Sequence, residues 1–239
     1  MRVAIHTAAT RDYLPGLRAL CLSVKRSMPD VDIIVTADVM ASELPDGCKI
    51  MQPSPALANI PEPGYAAYMN GYALTEYDRV VLLGADQIIV GDLSQVLDAT
   101  ADFAVIPAHG AGTYKAGHTY FATGMLSFKP YKGMIDEIAD VCREVWSEPN
   151  PWGYVTRDEH GLNEWAHRNQ IKPHYMPHYF DCSRRVFDQE PKTWNEWRDK
   201  IVSVHYLGIP KPWACYSNHP LDQLWRSYYD DTPEVLPCA

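Results

Sequence analysis

Asp86, His205 and Lys211 lie far apart in the chain, but together they have the chemistry to hold a phosphorylated ligand. A carboxylate suits a hard cation, an imidazole is tolerated by manganese, and an ammonium neutralises anionic oxygen. Asp86 closes the run Val80-Val81-Leu82-Leu83-Gly84-Ala85-Asp86. That apolar run predicts a buried strand that delivers one carboxylate to an open edge. The same carboxylate would also serve as a turn former or a helix cap. His205 ends the run Ile201-Val202-Ser203-Val204, and Gly208 and then Lys211, between Pro210 and Pro212, follow before Trp213. Gly208 permits close approach of backbone to a phosphate. Lys211 is suited to neutralising a departing diphosphate. The competing reading is a turn packed by Trp213 with a lysine at the surface.

Two further clusters have sugar-binding chemistry. Thr123 and Gly124 precede a strand-like segment, where a glycine lets a ring lie against the backbone and a threonine hydroxyl both donates and accepts. Asp158 and Glu159 open an apolar-periodic stretch. Asp158 is either the cap of that helix or a group that binds sugar hydroxyls and stabilises positive charge at an anomeric carbon. Their adjacency does not make a glycosidase carboxylate pair. After the first strand, Thr7 and Ala8 offer backbone to a nucleotide, Tyr13 can stack on a base, and Asp38 can reach the nucleotide from the end of the second strand.

These groups need a scaffold that gathers strand ends. Short apolar runs at 2–6, 31–35, 80–83, 103–106 and 125–128 predict strands, and 201–206 predicts a late one. Asp12 is expected to cap a helix with Leu14, Leu17, Cys21 and Val24 on one face. Further helices are expected over 66–76, 131–146, 158–169 and 221–229, with a strand-and-loop region at 42–64. The alternation predicts an α/β fold, a mostly parallel central sheet flanked by helices. In such sheets ligands sit outside the carboxyl ends of the strands. No repeat or linker divides the chain, so 1–239 reads as a single domain.

The 239 residues are 46% apolar and 21% charged, enough for one full core. A net charge of -9 argues against a broad nucleic-acid surface. There is no apolar run of membrane-spanning length, and the first residues read as a strand rather than a leader. The six cysteines are widely spaced and read as reduced thiols of a cytoplasmic protein.

Taken in order, the clusters resemble glycosyltransferase family 8, the family of glycogenin and the lipopolysaccharide galactosyltransferases. The matching pieces are Tyr-Leu-Pro-Gly at 13–16, Gly-Ala-Asp at 84–86, Phe-Ala-Thr-Gly at 121–124, Asp-Glu-x-x-Leu-Asn at 158–163 and His-Tyr-x-Gly-x-x-Lys-Pro-Trp at 205–213. The resemblance implies a nucleotide-diphospho-sugar transferase (GT-A) fold, with a nucleotide-binding half at about 1–100 and an acceptor-side half at about 101–239. It also implies a UDP-hexose donor, Mn²⁺ and transfer with retention. The family's metal ligands fall on Asp86 and His205, its diphosphate contacts on Gly208 and Lys211, and its reaction-centre pair on Asp158 and Glu159. The chain departs from the family in several places. Gly84 replaces the first carboxylate of the Asp-x-Asp motif, Ala122 replaces a sugar-binding Asn, Glu159 replaces a Gln, and Tyr68 stands where spacing places a lysine.

These features predict a retaining hexosyltransferase in which Asp158 and Lys211 act at the reaction centre. Asp86 and His205 would hold Mn²⁺, weakened by Gly84. Thr7, Ala8, Tyr13, Thr123, Gly124, Glu159 and Gly208 would contact the donor. The alternative is a non-catalytic or weakly hydrolytic nucleotide-sugar-binding protein, which the missing carboxylate would explain. A soluble saccharide or small molecule is the favoured acceptor. Trp225, Tyr228 and Tyr229 would stack on a sugar, pack on the domain, or face a partner in a homodimer.

Overall fold

The computed structural model describes the chain except residues 98–100, 109–112, 116–117, 155, 209, 216 and 230–239. Its strands are β1 (Val3–Ala9), β2 (Asp32–Ala37), β3 (Cys48–Ile50), β4 (Arg79–Leu83), β5 (Gln87–Ile89), β6 (Phe103–Pro107), β7 (Thr113–Lys115), β8 (His118–Thr119), β9 (Phe121–Phe128), β10 (His174–Tyr175), β11 (Cys182–Ser183) and β12 (Ser203–His205). Its α-helices are α1 (Leu14–Ser27), α2 (Pro63–Met69), α3 (Met134–Val145), α4 (Asp158–Arg168), α5 (Arg184–Gln189), α6 (Pro191–Trp197) and α7 (Pro220–Arg226).

Seven strands form the main sheet in the order β10-β6-β9-β4-β1-β2-β3. The β1/β2, β1/β4, β2/β3 and β6/β10 pairs are parallel, whereas β9 runs antiparallel to both β4 and β6. Strand periodicity divides β4 between two cores. Val80 and Leu82 face a cluster that includes Ile138 of α3 and Leu162 and Trp165 of α4. Val81 and Leu83 face Leu17, Leu20 and Val24 of α1. Both faces are therefore covered, and the strand reads as a continuous apolar run.

A smaller sheet, β11-β12-β5, packs under α7 through Ile88, Cys182, Val204, Leu221 and Trp225. Strand β12 runs antiparallel to β5, with His205 opposite Gln87. This pairing brings the late strand alongside the residues that follow Asp86. Among the described residues no helix is long and apolar enough to cross a membrane.

Several expectations are corrected. Asp12 does not cap α1, which is preceded by a 3₁₀ turn and has no side-chain cap. The helix expected over 66–76 stops at Met69 and tightens into 3₁₀ geometry over Asn70–Ala73. There the Asn70 amide bonds Ser54, Gln52 and Thr36 instead. The cysteines are not all reduced. Cys21, Cys48, Cys142 and Cys182 are free thiols, but Cys215 is disulfide-bonded. Cys238 lies outside the described residues. Trp225 is buried and stacks on Tyr229, so these two rings pack on the domain itself.

Candidate active site

A cavity of about 760 Å³ opens at the carboxyl ends of β1, β2 and β4, as expected for an α/β sheet. Ala8, Tyr13 and Asp38 line one side, and Gly84 and Asp86 lie beyond β4. Thr123 and Gly124 enter from β9, Asp158 and Glu159 from the start of α4, and His205 from the end of β12. Thr7 is fully buried in β1 and is not part of the lining. Gly208 is also outside the lining and takes a φ of 79°, which its lack of a Cβ permits.

Asp86 is held on both oxygens. Lys211 Nζ donates to Oδ2 at 2.5 Å, and His205 Nε2 lies 3.2 Å from Oδ1. Lys211 also donates to the Tyr206 carbonyl at 2.8 Å. An ammonium has three donors, so the third remains for an incoming anion. The lysine lies 5.6 Å from the centre of the Tyr13 ring, and Tyr13 meets Trp213 edge-on at 5.5 Å. Trp213 Nε1 donates to the Asp12 carbonyl. The Lys-Pro-Trp segment is thereby docked against the start of α1.

Asp181 escaped the sequence reading, which found no motif around it. His205 Nδ1 lies 3.1 Å from Asp181 Oδ1, and the Gln87 amide donates to the same oxygen at 2.6 Å. Gln87 Oε1 in turn accepts from the Gly84 backbone N–H at 3.0 Å. The imidazole is held between two carboxylates. Burial alone would lower its pKa, but Asp181 and Asp86 outweigh burial and push it up to about 10. Burial alone would raise the pKa of Asp86, yet His205 and Lys211 pull it well below the usual carboxylate range. The only local signal for Asp181 is a lone carboxylate just before the two-residue strand β11, too weak to read from sequence.

The sugar side of the cavity is built differently. Burial raises the Asp158 carboxyl to about 7, against hydrogen bonds from the Glu159 backbone and the Thr123 hydroxyl. Burial, with the neighbouring Asp158, raises Glu159 to about 8. Tyr68 donates its hydroxyl to the Thr123 carbonyl at 2.5 Å and stands among Asp158, Asp181 and Asp86. Arg157, just before Asp158, adopts a φ of 49° and bonds Glu62 at 2.7 Å. Such a backbone is costly for a residue with a Cβ and marks a position held by its surroundings.

The donor atoms beside Gly84 have the chemistry of a partial metal site. Asp86 Oδ1 and His205 Nε2 offer one oxygen and one nitrogen, a set that suits a borderline divalent cation such as Mn²⁺. The carboxylate on the far nitrogen of His205 is a common partner of a metal-bound imidazole. The set fits a cation but supplies only two protein atoms. Among the described residues no group of three or more His, Cys, Asp or Glu side chains is arranged to hold a metal.

No protein-family model matches the chain. Its fold is that of the GT-A glycosyltransferases. The active-site glutamine-to-glutamate mutant of LgtC superposes with a TM-score of 0.70 at 18% identity, covering 97% of this chain and 98% of that one. GlyE of Streptococcus pneumoniae TIGR4 gives 0.69 at 17% identity, covering 97% of this chain and 61% of that one. In sequence, the chain is 25% identical to the glycosyltransferase GlyF of Streptococcus pneumoniae serotype 4, over 96% of this chain and 62% of that protein. It is 24% identical to the putative UDP-glucuronate:xylan alpha-glucuronosyltransferase 3 of Arabidopsis thaliana, over 87% of this chain and 34% of that protein. The chain thus spans from about a third to three fifths of the length of these curated relatives.

Proposed function

We propose that the chain is a glycosyltransferase that moves a hexose from UDP-glucose or UDP-galactose to a hydroxyl acceptor with retention at the anomeric carbon. The observation that carries this reading is that Asp86, which Lys211 bonds from behind the cavity wall, shares one cavity with His205 and the buried carboxyls of Asp158 and Glu159. In this reading the nucleotide lies along Ala8, Tyr13 and Asp38, and its diphosphate points toward Lys211. The free donor of Lys211 stabilises charge on the leaving UDP. Asp158 and Thr123 bind sugar hydroxyls, and ionised Asp158 favours the positive charge that develops at the anomeric carbon. The acceptor hydroxyl approaches from the face the UDP leaves, through a short-lived oxocarbenium-like species. A divalent cation, Mn²⁺ in this proposal, would sit on Asp86 and His205 and supply Lewis-acid stabilisation of the diphosphate.

A neutral hexose is favoured over a uronate. The cavity presents Glu62, Asp158, Glu159 and Asp181, and no Lys or Arg is among its described lining residues. A carboxylate brought in by the sugar would meet like charge beside Asp158 and Glu159. The test is UDP release from UDP-glucose, UDP-galactose and UDP-glucuronate with Mn²⁺, with and without a panel of soluble saccharides. Release that rises with acceptor and is at least tenfold faster for a neutral hexose supports the proposal. Failure of both neutral donors to bind in calorimetry would overturn it.

A further inference from the structure

We propose that Asp181 is a positioning residue that stands in for the carboxylate absent at Gly84, holding His205 so that Nε2 faces the cation position beside Asp86. This inference rests on the nucleotide-sugar reading of the cavity.

The argument begins with what surrounds Gly84. A Cβ at this position would lie 2.7 Å from Asp86 Oδ1 and 3.6 Å from His205 Nε2. A side chain there would enter the space between the two donor atoms, and glycine leaves that space open. Where the resemblance to glycosyltransferase family 8 implies a carboxylate, residue 84 brings no charge to this side of the cavity.

A carboxylate is present instead on the opposite side of the imidazole. Asp181 lies within 3.3 Å of Nδ1 through both oxygens. Its orientation is set from three directions. The Gln87 amide donates to Oδ1 and is itself anchored to the Gly84 N–H. Ser203 Oγ reaches the same oxygen. On the remaining side Gly124 leaves room, since a Cβ there would lie only 2.3 Å from Asp181 Oδ2. The carboxylate thus sits in a slot that only a glycine on β9 leaves free. A carboxylate on one imidazole nitrogen fixes the ring and makes the other nitrogen a stronger ligand. Asp181 therefore supplies indirectly, through His205, part of the charge that residue 84 does not supply.

The test measures Mn²⁺ binding to the full chain in saturating UDP, read from the paramagnetic resonance of bound Mn²⁺. UDP binding in EDTA is measured alongside by calorimetry. Asp181→Ala is expected to weaken Mn²⁺ about 10- to 100-fold. Asp181→Asn, whose amide oxygen still accepts from Nδ1, is expected to lose less than about tenfold on the same scale. Adding Gly84→Asp to Asp181→Ala is expected to recover at least about tenfold, because the direct carboxylate replaces the indirect one. UDP binding in EDTA reports any effect of Asp181 on the nucleotide site that does not pass through the cation. If Asp181→Ala does not fold, Asp181→Ser, which also removes the carboxylate, is compared with and without Gly84→Asp.

Wild-type Mn²⁺ affinity in Asp181→Ala would overturn the proposal, and so would the absence of recovery with Gly84→Asp. If wild type binds UDP but no Mn²⁺, the positioning role falls and the nucleotide-sugar reading stands. If wild type does not bind UDP, both fall.

Discussion

Lys211 Nζ lies 2.5 Å from Asp86 Oδ2, although 125 residues separate them in the chain. The contact joins the end of β4 to the loop after β12, and it is the closure that turns two strand ends into one site. Asp86 also keeps His205 as a partner, so removing the lysine does not strand a bare charge. Lys211→Met should therefore cost only about 1–2 kcal/mol of stability, less than the loss of a sole partner from a buried pair. Transfer should fall about 10²- to 10³-fold, because the cation that meets the leaving UDP is gone. UDP-release kinetics and thermal unfolding separate the two effects. Turnover equal to wild type would remove Lys211 from the reaction.

Gly124 makes a second prediction through space rather than charge. A methyl group there would collide with Asp181 Oδ2 and would lie 2.9 Å from the His205 ring. Gly124→Ala should displace Asp181 from His205 and shift the imidazole. The overpacking should cost about 1–3 kcal/mol, and Mn²⁺ affinity should weaken by about the same 10- to 100-fold as in Asp181→Ala. Nuclear magnetic resonance of the histidine ring would report the change directly. An unaltered His205 resonance in a folded Gly124→Ala protein would contradict the packing argument.

Much of this geometry was legible in the sequence because the residues concerned carry local signals. Val80–Leu83 is a continuous apolar run, as a strand covered on both faces must be, and Asp86 follows at its end. His205 ends a run of the same kind, and Lys211 is set off by prolines. The sheet direction was less legible. The antiparallel course of β9 and the small β11-β12-β5 sheet depend on pairings between distant segments, and no local pattern records them. Asp181 was missed for the same reason. Its partners Gln87, Ser203 and His205 are brought to it by the fold, and a single aspartate before a two-residue strand has no periodicity to read. Thr7, which the sequence offered as a nucleotide contact, is one residue away from the lining residue Ala8, and strand alternation turns its side chain into the core.

Tyr68 makes a third prediction. Burial and the surrounding carboxylates hold its hydroxyl far above the ordinary tyrosine range, so it remains a neutral donor to the Thr123 carbonyl. Tyr68→Phe leaves that carbonyl without its partner, at a cost of about 1–2 kcal/mol. The same loss frees the backbone that holds Thr123, so the donor KM should rise about threefold to tenfold with a smaller change in kcat. A change confined to kcat would instead place the hydroxyl at the reaction centre.

The pH dependence of stability supplies the fourth prediction. Asp158 is raised from 3.8 to about 7 and Glu159 from 4.5 to about 8, mainly by burial. A raised carboxyl pKa means that the folded state keeps its proton after the unfolded chain has lost it. Stability is therefore lost as pH climbs from the unfolded values near 4 to the folded values of about 7 and 8, and the full penalty is present above that range. Asp158→Asn removes one ionisation and lowers the pKa of Glu159 by removing its neighbouring charge. The substitution should raise stability at pH 8 by about 1–2 kcal/mol and change it little at pH 5, so the denaturation profile flattens. Transfer should fall about 10²- to 10³-fold at pH 8, where wild-type Asp158 is ionised, and much less at pH 5, where Asp158 already carries its proton. Urea unfolding across that pH range measures the first effect and UDP release the second. Parallel stability profiles for wild type and Asp158→Asn would mean that Asp158 is already ionised in the folded protein. The N-cap of α4 is Arg157, not Asp158 as the sequence allowed, so Asp158 would then be an ordinary first-turn carboxylate rather than a carboxyl held near neutrality by burial.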